Sequence, residues 1–285
     1  MPGGWRGKNL VSTMTFPILV KFIFPTEKLS IQVHPDDEYA AAHEQAAGGR
    51  GKTEMWHAVS AEPNAQVLVG LEPGASEATF RSALDAGTLE NLFEAHAVHS
   101  GDTFFIPAGT PHTIGPGMVL CEVQEYSDLT YRVYDYGRVD AQGKPRELHI
   151  DKALEVMNFK PAPSPRVSPV SFEEHGAKIA LLAACRHFAT ERWEIAAQVE
   201  CYSDPAHFDI YVILSGHGKL NWPDGSATYR PGETWLIPAS LGSFTLNPSE
   251  PTALVRTYVP DLGALRAALR MEGTTDARIA EVLFD

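Results

Sequence analysis

Residues 100–112 read SGDTFFIPAGTPH, and residues 231–243 read PGETWLIPASLGS. Both run through glycine, an acidic residue, threonine, an aromatic or aliphatic pair, Ile-Pro-Ala and a turn, so the two halves of the chain echo one another. In the first copy Gly101 is followed after five residues by Pro107, after one more by Gly109, and after two more by His112. The glycine makes a hairpin turn into a strand, Pro107 and Gly109 turn the chain at the strand's end, and His112 is delivered to the interior of a β-barrel. In the second copy Ser243 stands where His112 does.

The spacing of the first copy resembles the second sequence motif of cupins. That resemblance implies a mainly β protein of two cupin (jelly-roll) barrels, the second degenerate because it lacks the ligand, with a few short helices. The surrounding text agrees. Residues 16–34 (FPILVKFIFPTEKLSIQVH) read as two extended stretches broken at Pro25, and 36–47 as a helix opening at an acidic cap and stopping at Gly48-Gly49. Extended text returns over 55–71, helical spacing over 76–94, strand after strand over 97–136, and a helix over 150–157. Four prolines in FKPAPSPRVSP (159–169) mark a connector, which places a metal-binding catalytic domain at 1–158 and the linker with the degenerate barrel at 159–285. Strand-like runs then cover 208–222, 228–238 and 243–259, ahead of a helical tail over 262–283.

Composition narrows the function. With 44% hydrophobic and 21% charged residues among 285, the chain has the makings of a soluble core. A formal charge of −13 repels polyanions and excludes a broad nucleic-acid surface, so an anionic substrate needs a locally positive pocket. Cys121, Cys185 and Cys201 form neither a disulfide framework nor a CxxC zinc site, the reading of a reducing cytoplasm. The apolar runs are short and the first residues lack the layout of a secretory signal, so no membrane association is expected.

Gln32 and His34 lie two apart on an expected strand, which puts both side chains on one face. The same parity puts Lys52, Glu54 and Trp56 together and turns His57 away. With His112 this makes two nitrogens and two oxygens, a set that suits zinc and leaves positions for water or a sugar oxygen. Taken singly, each has a plainer reading: an isolated strand histidine is usually a core or surface residue, and the chain's other histidines take that reading. Residues 46–53 (AAGGRGKT) fit a loose phosphate-loop pattern, but such a loop needs a strand before it and a helix after, and here the order is reversed. Arg50 and Lys52 remain flexible cations suited to a phosphate.

QVHPDD (32–37), GKTE (51–54), PAGTPH (107–112) and SDLTYRVYDYGR (127–138) are together similar to successive landmarks of the type I mannose-6-phosphate isomerase (phosphomannose isomerase) family, in its short bacterial form. The match is collinear from about residue 16 to 148 and fades in the second barrel. The family's N-terminal Trp-Gly-Gly and Gly-Glu-x-Trp landmarks have no counterpart here beyond Gly3-Gly4-Trp5. The resemblance implies one Zn2+ per chain, held by Gln32, His34, Glu54 and His112, with Lys52, Glu122, Asp128 and Arg132 lining the active site. Asp128 and Arg132 stand in an apolar and aromatic run, where a shared polar pocket is the expected home for both charges.

The implied reaction interconverts mannose 6-phosphate and fructose 6-phosphate through an enediol, without a redox cofactor. An ion-held water, Glu122 or Asp128 can each serve as proton carrier at this level. Two rivals are a sugar-phosphate sensor that binds without turnover, against which the presence of Lys52, Asp128 and Arg132 speaks, and a cupin oxygenase, against which Gln32 and Glu54 speak.

Overall fold

Apolar residues alternate along the strands and so decide which way each sheet faces. The structure is a computed structural model and describes residues 16–139, 141–160 and 163–285. The opening residues, Gly3-Gly4-Trp5 among them, lie outside that description. Contacts divide the chain into two compact units, one spanning 19–166 and one spanning 167–285 with residues 16–18.

The first unit comprises β1 (Ile18–Ile23), β2 (Ile31–Val33), α1 (Asp37–His43), β3 (Glu54–Ala61), β4 (Gln66–Leu71), α2 (Glu77–Asp85), β5 (Phe93–Ala97), β6 (Thr103–Ile106), β7 (His112–Ile114), β8 (Met118–Glu125), β9 (Tyr131–Tyr134) and α3 (Ile150–Val156). A four-stranded sheet in the order β1-β8-β3-β6 and a five-stranded sheet in the order β5-β4-β7-β2-β9 make its jelly roll. One core cluster gathers Trp56, Val67, Val69, Phe104, Ile106, Ile114 and Leu120. A second gathers Ile31, Val33, Tyr131 and Val133 with Phe80 of α2 and Leu154 of α3. Odd-numbered residues of β2 and β9 therefore pack under helices, and even-numbered ones turn to the opposite face.

Helix α1 starts where expected, with the Asp36 carboxylate accepting from the Tyr39 backbone N–H at 2.8 Å. The helical spacing over 76–94 resolves into three pieces. Ser76 and Thr79 close a capping box on α2, a 3-10 turn follows at Leu89–Leu92, and Phe93 already begins β5. Gly87, at φ 67°, breaks the helix, and pairing with β4 captures the rest as strand. The proline connector also carries structure, since the Phe105 N–H donates to the Pro165 carbonyl at 2.8 Å and Arg166 bridges to Phe104.

The second unit holds β10 (Val170–Glu174), β11 (Ala177–Ala184), β12 (Ala189–Ile195), β13 (Val199–Tyr202), β14 (Asp209–Ser215), β15 (Gly218–Trp222), β16 (Gly225–Tyr229), β17 (Thr234–Ile237), β18 (Ser243–Pro248) and β19 (Thr252–Tyr258), then α4 (Leu262–Met271) and α5 (Asp276–Ile279). Its sheets run β10-β11-β12-β19-β14-β17 and β13-β18-β15-β16. Strands β10 to β13 have no forewarning in the sequence pattern. Alanines at 177, 180, 183, 184 and 189 weaken the β signal, and cross-strand pairing with aromatic and branched residues such as Trp193 supplies what intrinsic preference lacks.

Register shows how the second barrel differs from the first. Glu54 pairs with Ile106, and Asp209 pairs with Ile237, each isoleucine opening its own Ile-Pro-Ala turn. One step along, Trp56 pairs with Glu122, and Tyr211 pairs with Arg256. The second barrel thus carries its own cation inside: Arg256 reaches Asp209 at 3.1 Å and Glu191 at 3.3 Å, and Glu191 accepts from Trp193 Nε1 and Tyr258 Oη at 2.8 and 3.0 Å. Removing only the cation leaves two buried carboxylates facing each other. Arg256→Met is therefore expected to cost roughly 3–5 kcal/mol, read by urea unfolding; a loss below about 1 kcal/mol, the range of an exposed pair, would refute this account.

Candidate metal centre and active site

Strand β2 lies between β7 and β9, and Gln32 stands opposite both His112 and Arg132. Directly opposed residues share a face, so these three side chains form a row, with His34 two residues on along the same face. From the four-stranded sheet come Glu54, whose partner on β8 is Gln124, and Trp56, whose partner is Glu122. The ring of Trp56 meets the His112 ring edge-on at 5.3 Å.

The ligand atoms of His34, Glu54 and His112 all lie within 4.8 Å of one another, and all three residues are buried. His112 Nε2 is 3.3 Å from Glu54 Oε1, and His34 Nε2 is 3.7 Å from Glu54 Oε2. Each imidazole is turned by a backbone carbonyl. His34 Nδ1 donates to Leu129 O at 2.8 Å, and His112 Nδ1 donates to Thr110 O at 2.9 Å, which leaves the lone pair of each Nε2 facing the carboxylate. Gln32 completes the set, its amide 3.3 Å from His112 Nε2, and a half-turn of the amide exchanges its oxygen for its nitrogen there.

Glu54 tests whether the set suits a cation. It is 1% exposed, yet neither of its carboxylate oxygens has a hydrogen-bond partner. The Lys52 ammonium lies 2.7 Å from Oε2 and 3.2 Å from His34 Nε2, an ion pair that offsets part of the carboxylate's charge on one of its two oxygens. A buried carboxylate whose one compensating charge is Lys52, facing two imidazole Nε2 atoms that meet only Lys52 and the Gln32 amide, is better satisfied by a metal than without one. The residues present fit a divalent ion.

The pocket's charges follow from burial and neighbours. Burial, and then the Lys52 charge and His112, hold the His34 pKa well below its ordinary value. Burial pulls His112 down to about 4, against its hydrogen bond to Thr110. Both imidazoles are therefore neutral, as a metal requires. Burial lowers the proton affinity of Lys52, but the charges of Glu54 and Glu122 outweigh it and hold the ammonium. Glu122 is raised, first by burial and then by the charge of Glu54.

These shifts carry a pH signature. His112 has a folded pKa below the unfolded value of 6.5, so the unfolded chain binds the proton more readily and stability falls as pH drops from about 6.5 toward 4. In metal-free protein the share of His112 in this loss is about 3 kcal/mol, on the scale of 1.4 kcal/mol per pKa unit, and His34, also held low, adds to it. Urea titrations at successive pH values would read it, and a flat profile would contradict a neutral buried His112.

Most of the expected site residues meet here. Gln32, His34, Lys52, Glu54, His112 and Glu122 converge, and His57 turns away to Thr103 as strand parity requires. Lys52 is not the flexible cation the sequence suggests. It is 6% exposed, and its loop is pinned because a Cβ on Gly51 would stand 2.5 Å from the Asp36 backbone. Arg132 shares the face of Gln32, with Nη1 donating to the Glu147 carbonyl at 3.0 Å and a buried, unpartnered Nε. Asp128 does not share a buried pocket with it. Its side chain is 87% exposed and lies 3.4 Å from Lys21 Nζ.

Two further groups belong to this wall. Lys21 Nζ donates to Gln124 Oε1 at 2.9 Å and stands 3.8 Å from Glu122. Fully buried Gln124 spends its amide hydrogens on the carbonyls of Glu125 and Ser127. A lone lysine inside ILVKFI was the available signal for the first, whereas nothing in MVLCEVQE distinguishes Gln124.

Known proteins give an independent comparison. A family model for the cupin domain of mannose-6-phosphate isomerase matches residues 178–258. The chain is 34% identical over 230 residues to a mannose-6-phosphate isomerase of Streptococcus mutans, covering 80% of this chain and 70% of that one. It is 33% identical over 232 residues to mannose-6-phosphate isomerase ManA of Bacillus subtilis, covering 81% and 72%. The crystal structure of the mannose 6-phosphate isomerase from Bacillus subtilis superposes with a TM-score of 0.80 at 30% identity, over 87% of this chain and 77% of that one. A phosphomannose isomerase from Salmonella typhimurium, at 17% identity and a TM-score of 0.69 over 90% and 82%, shares the fold.

Proposed function

The chain belongs to the mannose-6-phosphate isomerase family, and on that premise we propose that its first barrel interconverts mannose 6-phosphate and fructose 6-phosphate around a single zinc ion. Gln32, His34, Glu54 and His112 hold the ion. The observation that carries this reading is the buried Glu54 carboxylate gathered with the His34 and His112 Nε2 atoms within 4.8 Å of one another, its two oxygens without a hydrogen-bond partner beyond the Lys52 ion pair. When bound, the ion supplies Lewis-acid polarisation of the sugar's oxygens.

Moving a proton between C1 and C2 builds negative charge on the former carbonyl oxygen. Lys52, buried and held as an ammonium beside Glu54, and the half-buried Arg132 guanidinium supply positive charge there. The proton itself is assigned to Glu122. Its carboxylate is buried, oriented by Trp56 Nε1 at 3.1 Å, and raised in proton affinity, which brings an acid toward the working range of a proton carrier. Asp128, exposed and near Lys21, is better suited to the pocket rim, where Lys21 can attract an anionic sugar phosphate and the Asp128 carboxylate can accept from a sugar hydroxyl.

The three cysteines are free and buried, and no helix among the described residues is long and apolar enough to cross a membrane. The free thiols suit a reducing compartment such as the cytoplasm. Coupled turnover of both hexose phosphates, with and without a chelator and with elemental analysis of the same sample, tests the whole reading. Turnover that vanishes with the metal and returns with zinc is the expected result. Full turnover in metal-free protein, or metal-independent binding without turnover, would refute it.

A further inference from the structure

Two groups of the proposed centre hang on loops rather than on strands. Lys52 sits just before β3, on the segment 50–53, and His34 is turned by the Leu129 carbonyl of the segment 127–130. A loop side chain holds its place only if its backbone is fixed, because each free residue carries roughly 1–2 kcal/mol of conformational entropy.

One hydroxyl fixes both loops. Ser127 Oγ donates to the Arg50 carbonyl at 3.0 Å and accepts from the Leu129 N–H at 3.3 Å. The first bond holds the peptide two residues before Lys52. The second holds the residue whose carbonyl selects the His34 tautomer. Ser127 is 7% exposed, and its own carbonyl is held at 2.6 Å by the amide of Gln124, whose Cα partner is Glu54. Around it the Thr53 N–H donates to Glu125 at 2.7 Å, the Gly51 N–H to Asp37 at 2.9 Å, and the Lys52 N–H to the Pro35 carbonyl at 3.0 Å. Among the described residues, Ser127 is the side chain whose hydroxyl bonds directly to the backbone of both segments, and the Thr53–Glu125 pair braces the same junction from the end of β8.

We propose that Ser127 is a positioning residue that locks the Lys52 loop and the His34 tautomer to each other, so that charge and metal ligand are set by a single hydrogen-bonded knot. The proposal rests on the reading of the first barrel as a metal-dependent isomerase. It touches neither metal nor substrate directly. A general packing role predicts only lost stability, whereas this one predicts weaker metal binding and a lower kcat at unchanged folding.

The test compares wild type with Ser127→Ala, Ser127→Cys and Ser127→Thr. Zinc affinity is measured by competition with a chromophoric chelator, thermal unfolding on the metal-free proteins, and kcat and KM with mannose 6-phosphate. Loss of a partner that orients a metal-binding histidine weakens metal affinity by about 10–100-fold, and that is the expectation for Ser127→Ala. With zinc saturating, kcat should fall by a similar factor while KM moves less than about threefold. Ser127→Cys keeps the shape but weakens both bonds and should follow alanine, while Ser127→Thr keeps the hydroxyl and should recover affinity. If alanine prevents folding, the cysteine and threonine variants decide between them.

Wild-type zinc affinity in both Ser127→Ala and Ser127→Cys would overturn the proposal, as would a threonine variant no better than alanine. The chelator competition needs no turnover, so an inactive wild type would sink the isomerase reading while leaving the role of Ser127 to be decided by affinity alone.

Discussion

His112→Ala should yield a folded protein that no longer retains its metal and no longer turns over. The substitution removes one of the two imidazoles whose Nε2 faces Glu54, and it removes the one in line with both Gln32 and Trp56. Weakening an outer-shell partner of a metal ligand already costs about 10–100-fold in affinity, so deleting the ligand itself should exceed about 100-fold. Elemental analysis after gel filtration reads this directly. The fold should persist, because strand β7 is held through its backbone to β2 and β4 and through Ile114 in the core. Acid sensitivity gives a second reading, since the stability loss between pH 6.5 and 4 should shrink by the share of His112 while the share of His34 remains. A full zinc complement in the variant would remove His112 from the ligand set.

Arg132→Ala should separate chemistry from metal binding. The guanidinium lies on the face of Gln32 and His112, but it donates to the Glu147 carbonyl, and its Nε has no partner. It therefore spends little of its donor capacity on the fold. Losing one preorganised positive group opposite developing oxyanion charge costs about 100- to 1,000-fold in kcat. Zinc content should stay at the wild-type level. Arg132→Lys should recover only part of the rate, because an ammonium lacks the planar fork. Equal loss of metal and turnover in the alanine variant would show that Arg132 supports the centre and not the substrate.

Sequence pattern and structure agree wherever local periodicity is enough. Gln32 and His34, or Glu54 and Trp56, share faces because a strand's pleat repeats every two residues, and a reader of the chain can apply that rule without coordinates. The repeated Ile-Pro-Ala turn likewise announces two related barrels before either is seen. Periodicity fails where partners come from afar. Alanine-rich β10 to β13 become strands through pairing, and helical spacing over 93–94 gives way to β5 for the same reason.

What the sequence determined by itself is the strand parity of Gln32 with His34 and of Lys52 with Glu54 and Trp56, and the serine at 243 where the first copy has His112, because each is a matter of neighbours along the chain. Tertiary structure decided which charges are buried. It sent Asp128 to the surface, brought Lys21 and Gln124 into the wall, closed Arg256 between two carboxylates, and joined two loops through Ser127. Burial and long-range hydrogen bonds depend on residues tens of positions apart meeting in space, and no local pattern encodes that meeting.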